Sequence, residues 1–553
     1  MNIKPLSAAL AVSPQIAPTD VPAIAASGYR AIICNRPDGE GADQPSFRRI
    51  QLEAEAAGIE IRYLPVIPGQ LSDQQASEFG RLLDELPKPI LAYCRTGMRS
   101  ASLWGLSRGA SMAPAEILTR AAESGYDLGA LVRRMTAPGN ASGIVDASHE
   151  VVIVGAGAAG IAVASSLLAR DADLDIAIID PSDVHYYQPG WTLVGAGVFD
   201  ASETVRATGA LIPRGVRWIK SAVSHFEPER DTVVLEGCRR VRYAQLVVCP
   251  GLKLDWGAIA GLEDTLGANG VTSNYRFDLA PYTWELVRRF QGGTVLFTQP
   301  PMPIKCAGAP QKAMYLSCDA WRRRGVLDKA DVRFESAATA LFGVADYVPA
   351  LMDYVRAYGI RLDFGRRLTA VDGAYRIATF AVAGPEGERV ERVPFDMLHV
   401  VPPQAAPDFI RASPLADPAG WVDVDQASLR SKRYPNVFAL GDVANTPNAK
   451  TAAAARKQAP VVAHNLLLAR GRGAREARYD GYGSCPLTVE RGKIVLAEFT
   501  YGGKLAPSFP AWLLDGRKPS RLAWLLKERI LPPLYWRGML KGREWLARPE
   551  MVG

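Results

Sequence analysis

A chain of 553 residues has room for about three or four domains. Its 48% apolar and 22% charged residues are typical of a globular protein with a sizeable core, and exclude a disordered, collagenous or coiled-coil chain. Seven cysteines are too few for a secreted disulfide scaffold. Cysteines and histidines show no metal-ligand spacing, so we expect no structural zinc or other metal site. The N-terminal apolar stretch is interrupted at Pro14 and carries no convincing export signal.

The first predicted domain, residues 1–137, alternates short strands with helices. Its strands are expected at 30–34, 60–65 and 90–93. The last strand runs into Cys94-Arg95-Thr96-Gly97-Met98-Arg99-Ser100 and then into a helix. A helix N-terminus and neighbouring arginines both lower the pKa of a thiol. Cys94 is therefore predicted to be a reactive thiolate with Arg99 beside it; the alternative is a buried structural cysteine.

The spacing within this loop distinguishes two kinds of chemistry. Tyrosine phosphatases place five residues between the cysteine and the arginine, whereas four lie between Cys94 and Arg99. The shorter loop, together with the segment 33–40, resembles the phosphatase-fold sulfurtransferases, which have a rhodanese-like loop. This resemblance covers most of residues 1–137 and implies that Cys94 accepts a sulfur atom. Phosphate hydrolysis is the alternative, although the segment 65–69 offers no aspartate as a general acid.

A glycine-rich turn after a predicted linker at 138–147 indicates a dinucleotide site. A strand leads into Gly155, Gly157 and Gly160, whose GxGxxG spacing allows a tight turn and close approach of a pyrophosphate. A second strand ends in Asp180, where an acid binds a ribose hydroxyl. The uncharged window 151–169 is long enough to cross a membrane, but this pattern predicts a strand, a turn and a helix instead.

Later motifs indicate that the dinucleotide is FAD. A strand ending at Gly441-Asp442 and a short strand before Gly251 resemble those of flavoproteins with two dinucleotide-binding domains. In such proteins a second glycine fingerprint binds NAD(P)H near the middle of the chain. Here the corresponding strand, 294–298, leads instead into prolines and Cys306. The electron donor is therefore not expected to be a pyridine nucleotide.

Cys306 and Cys485 are the candidate redox cysteines of the predicted flavin domain, residues 148–500. Lys305 and Lys312 flank Cys306 ahead of a predicted helix, an environment that favours a thiolate. Cys485 is predicted to lie in an exposed turn. The two are 179 residues apart, so any pairing must come from folding. The remaining cysteines lie in or beside apolar patterns and are predicted to be passive: Cys34, Cys238, Cys249 and Cys318.

Three longer strings carry a closer resemblance: HYYQPGWTLVGAG at 185–197, PIKCAGAPQK at 303–312 and KTAAA at 450–454. They look like the sulfide:quinone oxidoreductases, in the branch that includes the mitochondrial enzyme, and the likeness runs from about residue 150 to the C-terminus. The resemblance implies FAD as the cofactor, a redox-active disulfide between Cys306 and Cys485, and Lys450 near the flavin.

The same resemblance implies the course of the reaction. Sulfide attacks the disulfide and leaves a persulfide on Cys485, while the thiolate of Cys306 faces the flavin and delivers two electrons. A membrane quinone takes the electrons, and a small acceptor such as sulfite or glutathione takes the sulfur. The sequence identifies neither the quinone nor the acceptor, and it leaves the oligomeric state open, a homo-oligomer included.

Two other interpretations stay open at this point. One is a membrane NADH:quinone oxidoreductase with a protein-phosphatase-like first domain, which the missing second glycine fingerprint disfavours. The other is a non-catalytic redox or phosphosignalling adaptor, in which the Cys94 loop merely binds an anion. An anaerobic titration with sulfide and then with NADH separates these interpretations.

The C-terminal segment, 501–553, differs from the rest in charge. Between Lys504 and Arg548 ten basic residues accompany three acidic ones, so this stretch accounts for the whole net charge of +7. Its apolar runs fall short of the ~20 residues that span a bilayer. We predict amphipathic interfacial helices that dock a peripheral enzyme on the cytoplasmic face of a membrane. Docking against the protein's own body is the alternative, and no motif indicates nucleic-acid binding.

The predicted fold class is therefore α/β. A phosphatase-like α/β domain is followed by a Rossmann-like flavoprotein with two dinucleotide-binding domains and then by the amphipathic segment.

Overall fold

The computed structural model describes residues 2–41, 44–68, 71–109, 111–129, 131–132, 145–384, 387–473 and 475–552. Strands and helices alternate along most of the chain, so the predicted α/β class is confirmed. The linker predicted at 138–147 lies largely outside the described residues.

A mainly parallel sheet organises the first part of the chain. In spatial order its strands are Lys4–Pro5, Leu10–Ser13, Ile90–Tyr93, Ala31–Cys34 and Glu60–Tyr63. The first two pair antiparallel and the others run parallel. Its helices are Val21–Ala26, Phe47–Ala56, Asp73–Glu85, Met98–Arg108 and Pro114–Glu123. The strand Leu10–Ser13 is buried and was not among the predicted elements, because its short apolar run also resembles the start of an export signal.

A second sheet forms the predicted dinucleotide fold. Its strands in order are Arg217–Ile219, Ile176–Ile179, Ala147–Val154, Arg240–Val248, Thr232–Leu235 and Val223–Glu227, and Val437–Ala439 runs parallel to Arg240–Val248. The helices Ala158–Leu168 and Ala452–Ala469 pack against each other beside this sheet. The window 151–169 is therefore a buried strand, a turn and a helix, as the glycine pattern predicts.

A third sheet is entirely parallel. Its strands in order are Val271–Thr272, Met397–His399, Gly293–Gln299, Ala330–Ser336 and Arg361–Phe364. Its helices are Ala280–Arg289, Ala309–Arg324 and Val348–Ala357. An antiparallel sheet of Arg366–Asp372, Ile377–Gly384 and Gly387–Pro394 adjoins it.

Shorter elements complete the fold. Antiparallel pairs join Val184–Tyr186 with Val205–Ala207, Lys253–Leu254 with Gln404–Ala405, and Gly483–Glu490 with Lys493–Phe499. Short helices are Trp191–Val194, Leu262–Thr265 and Asp408–Arg411.

The C-terminal segment packs on the rest of the chain rather than standing free. Its helical turns are Arg521–Leu525, Leu526–Ile530, Leu531–Pro533, Leu534–Gly538 and Met539–Lys541. Trp524 and Tyr535 are buried, and the Ser165 hydroxyl donates a hydrogen bond of 2.9 Å to the Leu540 carbonyl. The last strand, Glu550–Val552, pairs with Glu476–Arg478. Across the described residues, no helix combines the length and the apolar character needed to cross a bilayer.

Candidate active site

The two candidate redox cysteines lie side by side in the structure. Cys306 Sγ is 3.9 Å from Cys485 Sγ, which is contact distance rather than the ~2.05 Å of a disulfide bond. Cys306 lies in the loop between Gly293–Gln299 and Ala309–Arg324, and Cys485 lies in the strand Gly483–Glu490. The prediction of an exposed turn for Cys485 is wrong: its side chain is 2% exposed, because this strand packs against the helix Ala309–Arg324.

Backbone contacts hold the Cys306 loop in an unusual conformation. Cys306 has φ of +49°, in the left-handed region that non-glycine residues rarely adopt. Its N–H donates to the Lys450 carbonyl at 2.8 Å, and its own carbonyl accepts from the Ala309 N–H at 2.7 Å. A Cβ at Gly308 would lie 2.6 Å from Cys485 Sγ, so this position needs a glycine for the cysteines to meet.

A lysine makes the two thiols chemically unequal. Lys312 Nζ lies 3.0 Å from Cys306 Sγ. The hydrogen bond that Cys485 donates, together with the Lys312 ammonium, holds the pKa of Cys306 well below that of an ordinary thiol. The hydrogen bond to Cys306 and burial raise the pKa of Cys485. Cys306 is therefore the better leaving group and thiolate of the pair.

One basic residue of this site was not predicted from the sequence. Lys527 belongs to the C-terminal segment but is buried and acts electrostatically on both cysteines. Burial and the nearby Lys312 lower the pKa of Lys527 to about 7. Lys527 follows Trp524 by three residues, a spacing that places both on one face of a helix and could have indicated that this face is buried. No local pattern indicates that this face lies against Cys306 and Cys485.

The three fingerprint glycines fit a bound dinucleotide. Gly155 has φ of +108°, and a Cβ there would lie 2.5 Å from the Cys249 carbonyl oxygen. A Cβ at Gly160 would clash with the Gly155 carbonyl, so strand and helix approach closely only without side chains. A Cβ at Gly157 would meet no described atom within 4 Å. The space beside this glycine is therefore open, as the close approach of a pyrophosphate requires. The Asp180 carboxylate accepts a hydrogen bond of 2.7 Å from Ala156 N–H within this turn.

The later flavin motifs converge on the same place. A Cβ at Gly441 would contact the Ala159 Cβ at 3.3 Å, so this turn borders the helix that follows the fingerprint. Lys450 Nζ donates to the Asp442 carbonyl at 2.7 Å, and burial lowers the pKa of Lys450 to about 8. Burial also raises the pKa of the Asp442 carboxyl. Gly251 has φ of +77° and open space beside it.

The Cys94 loop forms a separate, closed site. The side chain of Cys94 is 0% exposed, and its Sγ accepts a hydrogen bond of 3.1 Å from the Gly97 N–H. Arg99 is buried beside the loop and forms an ion pair of 2.8 Å with Glu40. Burial by itself raises the pKa of Glu40, but Arg99 and Arg36 hold it at about 2. The loop therefore has the strand-to-helix geometry expected of an anion-binding cysteine loop.

Adjacent cysteines, a cysteine thiol whose pKa is lowered and a dinucleotide fold define the class of protein: a flavin-dependent disulfide oxidoreductase with two dinucleotide-binding domains. The family model of the pyridine nucleotide-disulphide oxidoreductases matches residues 149–282. The model of the beta-lactamase hydrolase-like protein, phosphatase-like domain, matches residues 2–111.

Similar proteins narrow this class to one family. The mitochondrial sulfide:quinone oxidoreductase of Dictyostelium discoideum is 41% identical over 402 residues, covering 72% of this chain and 87% of the relative. The beta-lactamase hydrolase-like protein of Xylella fastidiosa (strain Temecula1) is 31% identical over 134 residues, covering 24% of this chain and 31% of the relative. The crystal structure of the sulfide:quinone oxidoreductase from Aquifex aeolicus shares the fold, with TM-score 0.59 and 18% identity over 70% of this chain and 92% of that one.

The chain belongs to the sulfide:quinone oxidoreductase family. It oxidises sulfide, passes the electrons to a quinone and uses FAD as its cofactor.

Proposed function

We propose that Cys306 and Cys485 form the disulfide that sulfide attacks. The hydrosulfide ion bonds to Cys485 Sγ, the bond between the two cysteine sulfurs breaks, and Cys306 leaves as a thiolate. Cys485 then carries a persulfide. The single observation that supports this assignment is the 3.9 Å sulfur pair, in which Lys312 stands next to Cys306. A cation at that position stabilises the thiolate that the attack releases.

FAD, when bound, supplies a two-electron acceptor that passes the electron pair on to the quinone. The residues that hold FAD in this proposal are Gly155, Gly157, Gly160, Asp180, Gly251, Gly441, Asp442 and Lys450. Lys450 has a second role, because its backbone carbonyl accepts the Cys306 N–H and so orients the cysteine loop. We propose sulfite or glutathione as the small acceptor that removes the outer sulfur from Cys485.

An anaerobic titration tests the electron donor. With sulfite present to take the outer sulfur, so that the disulfide re-forms and its electrons pass to FAD, sulfide should bleach the flavin absorbance at about one equivalent per FAD, whereas NADH should leave it unchanged. The physical reason is that the loop after Gly293–Gln299 carries Cys306 and prolines where a second pyrophosphate turn would lie. Rapid loss of the flavin absorbance with NADH would instead support the NADH:quinone oxidoreductase interpretation.

We propose further that the first domain, residues 1–137, is a sulfurtransferase in which Cys94 receives the sulfane sulfur. The Cys94 thiolate attacks the outer sulfur of the loaded acceptor, which is thiosulfate when the acceptor is sulfite and a persulfide when it is glutathione. The sulfur–sulfur bond of that carrier breaks, and sulfite or the glutathione thiolate departs. A small carrier is preferred over direct transfer because Cys94 and Cys485 are both buried. The four-residue spacing from Cys94 to Arg99 and the buried strand-to-helix loop support this role.

Mass spectrometry tests this proposal. After one anaerobic turnover with sulfide and sulfite, the peptide that contains Cys94 should gain one sulfur atom, about 32 Da. Cys94→Ser should lose this adduct yet keep quinone reduction within about twofold when acceptor is abundant. Cys34→Ser is the matched control, because Cys34 is buried in a neighbouring strand, where burial raises its pKa to about 12. No sulfur at Cys94, together with a phosphatase activity that Cys94→Ser abolishes, would identify a phosphatase domain instead.

We propose that the segment 501–553 docks the enzyme on the cytoplasmic face of a membrane through the apolar side chains that it leaves exposed. Leu525 and Ile530 are 50% and 53% exposed, and Trp512 projects almost fully from the surface. Basic residues of the same segment would meet anionic headgroups. One face of this segment is therefore packed against the protein, and the opposite face exposes apolar side chains.

Substitution tests this docking better than truncation, because a truncation before Lys504 would also remove Lys527 and Tyr535 from the interior. Leu525→Ser with Ile530→Ser should reduce pelleting with vesicles of anionic lipid at least about tenfold and retain FAD, since burial of two large apolar side chains contributes about 3 kcal/mol. Val390→Ser, an exposed apolar position on the antiparallel sheet, is the control. Equal pelleting of wild type and double variant would contradict the docking role.

A further inference from the structure

The Cys94 loop meets the flavin domain through the turn 236–239, which joins the strands Thr232–Leu235 and Arg240–Val248. Glu236 projects from this turn towards the loop. Its Oε1 lies 3.0 Å from Arg99 Nε, and Thr96 Oγ1 donates to its Oε2 at 3.3 Å. Two residues of the cysteine loop therefore contact one carboxylate that belongs to another domain.

This carboxylate is buried and incompletely satisfied. The side chain of Glu236 is 2% exposed. Its Oε1 and Arg99 Nε are close enough for an ion pair, yet neither atom makes a well-aligned hydrogen bond with any described residue. Arg99 meanwhile pairs with Glu40 through another nitrogen, and Glu40 also pairs with Arg36. Of the two carboxylates near Arg99, Glu40 belongs to the first domain, whereas Glu236 comes from the flavin domain.

The rest of the turn fits closely against the first domain. Gly237 has φ of +80°, and a Cβ there would lie 3.2 Å from Met98 Sδ. Cys238 packs against the apolar core of the first domain, and Arg239 Nε lies 3.8 Å from the Asp127 carboxylate. The turn therefore covers the loop and leaves Cys94 with no exposed surface.

We propose that Glu236 closes the Cys94 loop by occupying its oxyanion position, and that a tetrahedral sulfur oxyanion competes with Glu236 for that position. Such an anion carries more oxygens than a carboxylate and matches loop N–H groups and the Arg99 guanidinium better. Binding of the oxyanion displaces the turn 236–239 and exposes Cys94 for sulfur transfer. This inference rests on the proposed sulfurtransferase role and adds its ligand class and its closed resting state.

Alkylation of Cys94 in the FAD-loaded, full-length enzyme tests the closure. The Cys94 peptide should react with iodoacetamide at least about tenfold faster in Glu236→Gln than in wild type, because the neutral amide no longer pairs with Arg99. Asp127→Asn removes an acidic residue from the same interface without touching the loop and should stay within twofold of wild type. Quinone reduction should change less than twofold in both variants. Equal alkylation rates in wild type and Glu236→Gln would overturn the proposal.

Sulfate and inorganic phosphate serve as unreactive probes of the oxyanion position. In Glu236→Gln, sulfate should protect Cys94 from alkylation, with half-protection at a concentration at least fivefold lower than for phosphate. Absence of protection by either anion would overturn the oxyanion assignment, and stronger protection by phosphate would favour a phosphate ligand over a sulfur oxyanion. If Glu236→Gln opens the loop but no sulfur reaches Cys94 in any variant, the sulfurtransferase role fails while the closure by Glu236 stands.

Discussion

Replacing either cysteine of the adjacent pair should abolish sulfide-dependent quinone reduction while the protein keeps its flavin. Cys306→Ser and Cys485→Ser should each lower the rate at least about a thousandfold, because a serine hydroxyl forms no disulfide and carries no persulfide. The measurement is quinone reduction under anaerobic conditions, with flavin absorbance of the purified protein as the test of folding. The fingerprint glycines lie elsewhere, in the turn after the strand Ala147–Val154 and in the first turn of the helix Ala158–Leu168, so FAD content should stay near that of wild type.

Cys318→Ser is the matched control for these variants. Cys318 is a buried free thiol on the helix Ala309–Arg324, and burial raises its pKa. Its substitution should leave the rate within severalfold of wild type. Full activity in Cys306→Ser or Cys485→Ser would exclude the disulfide mechanism, whereas equal losses in all three variants would indicate a general packing defect.

Removing the lysine beside Cys306 should slow the reaction and move its pH dependence. Lys312→Met deletes the ammonium 3.0 Å from Cys306 Sγ. That cation helps to hold the pKa of Cys306 below its usual range, so the pKa should rise in the variant. A higher pKa means that less thiolate is present at neutral pH. We expect a rate about tenfold to a hundredfold lower at pH 7, since each pKa unit corresponds to a tenfold change in equilibrium.

The pH profile separates this electrostatic role from a structural one. The thiolate is lost as pH falls through its pKa, so the acid limb of the rate profile should shift to higher pH in Lys312→Met and the rate should partly recover at alkaline pH. Lys220→Met is the control, because Lys220 pairs with Asp183 on the surface. An equal loss at every pH would contradict the electrostatic explanation.

Local patterns predicted the dinucleotide fold well. The order of apolar strand, Gly155, Gly157, Gly160 and helix depends on backbone conformation and close packing within one short segment, and the structure has these elements where the sequence indicates them. The long strings around Cys306 and Lys450 carried the family resemblance, which the similarity to the Dictyostelium relative confirms.

The missed features share a physical cause. Cys485 follows glycine and serine and precedes proline, which locally favours a turn, yet packing against the helix Ala309–Arg324 makes it part of a buried strand. The basic C-terminal segment suggested a surface tail, but Trp524, Tyr535 and Lys527 point into the body of the protein. In both cases a contact distant in sequence outweighed the local preference.

The sequence by itself determined the α/β class, the flavin fingerprint and the family, because each depends on short segments whose backbone geometry or chemistry is local. Only the tertiary structure decided that Cys306 and Cys485 are neighbours, that Lys527 lies near them and that Glu236 contacts the Cys94 loop. These relations join residues 179, 42 and 142 positions apart in the chain. These residues are close together because the sheets and helices that carry them pack their apolar faces against each other, and no local sequence pattern predicts that packing.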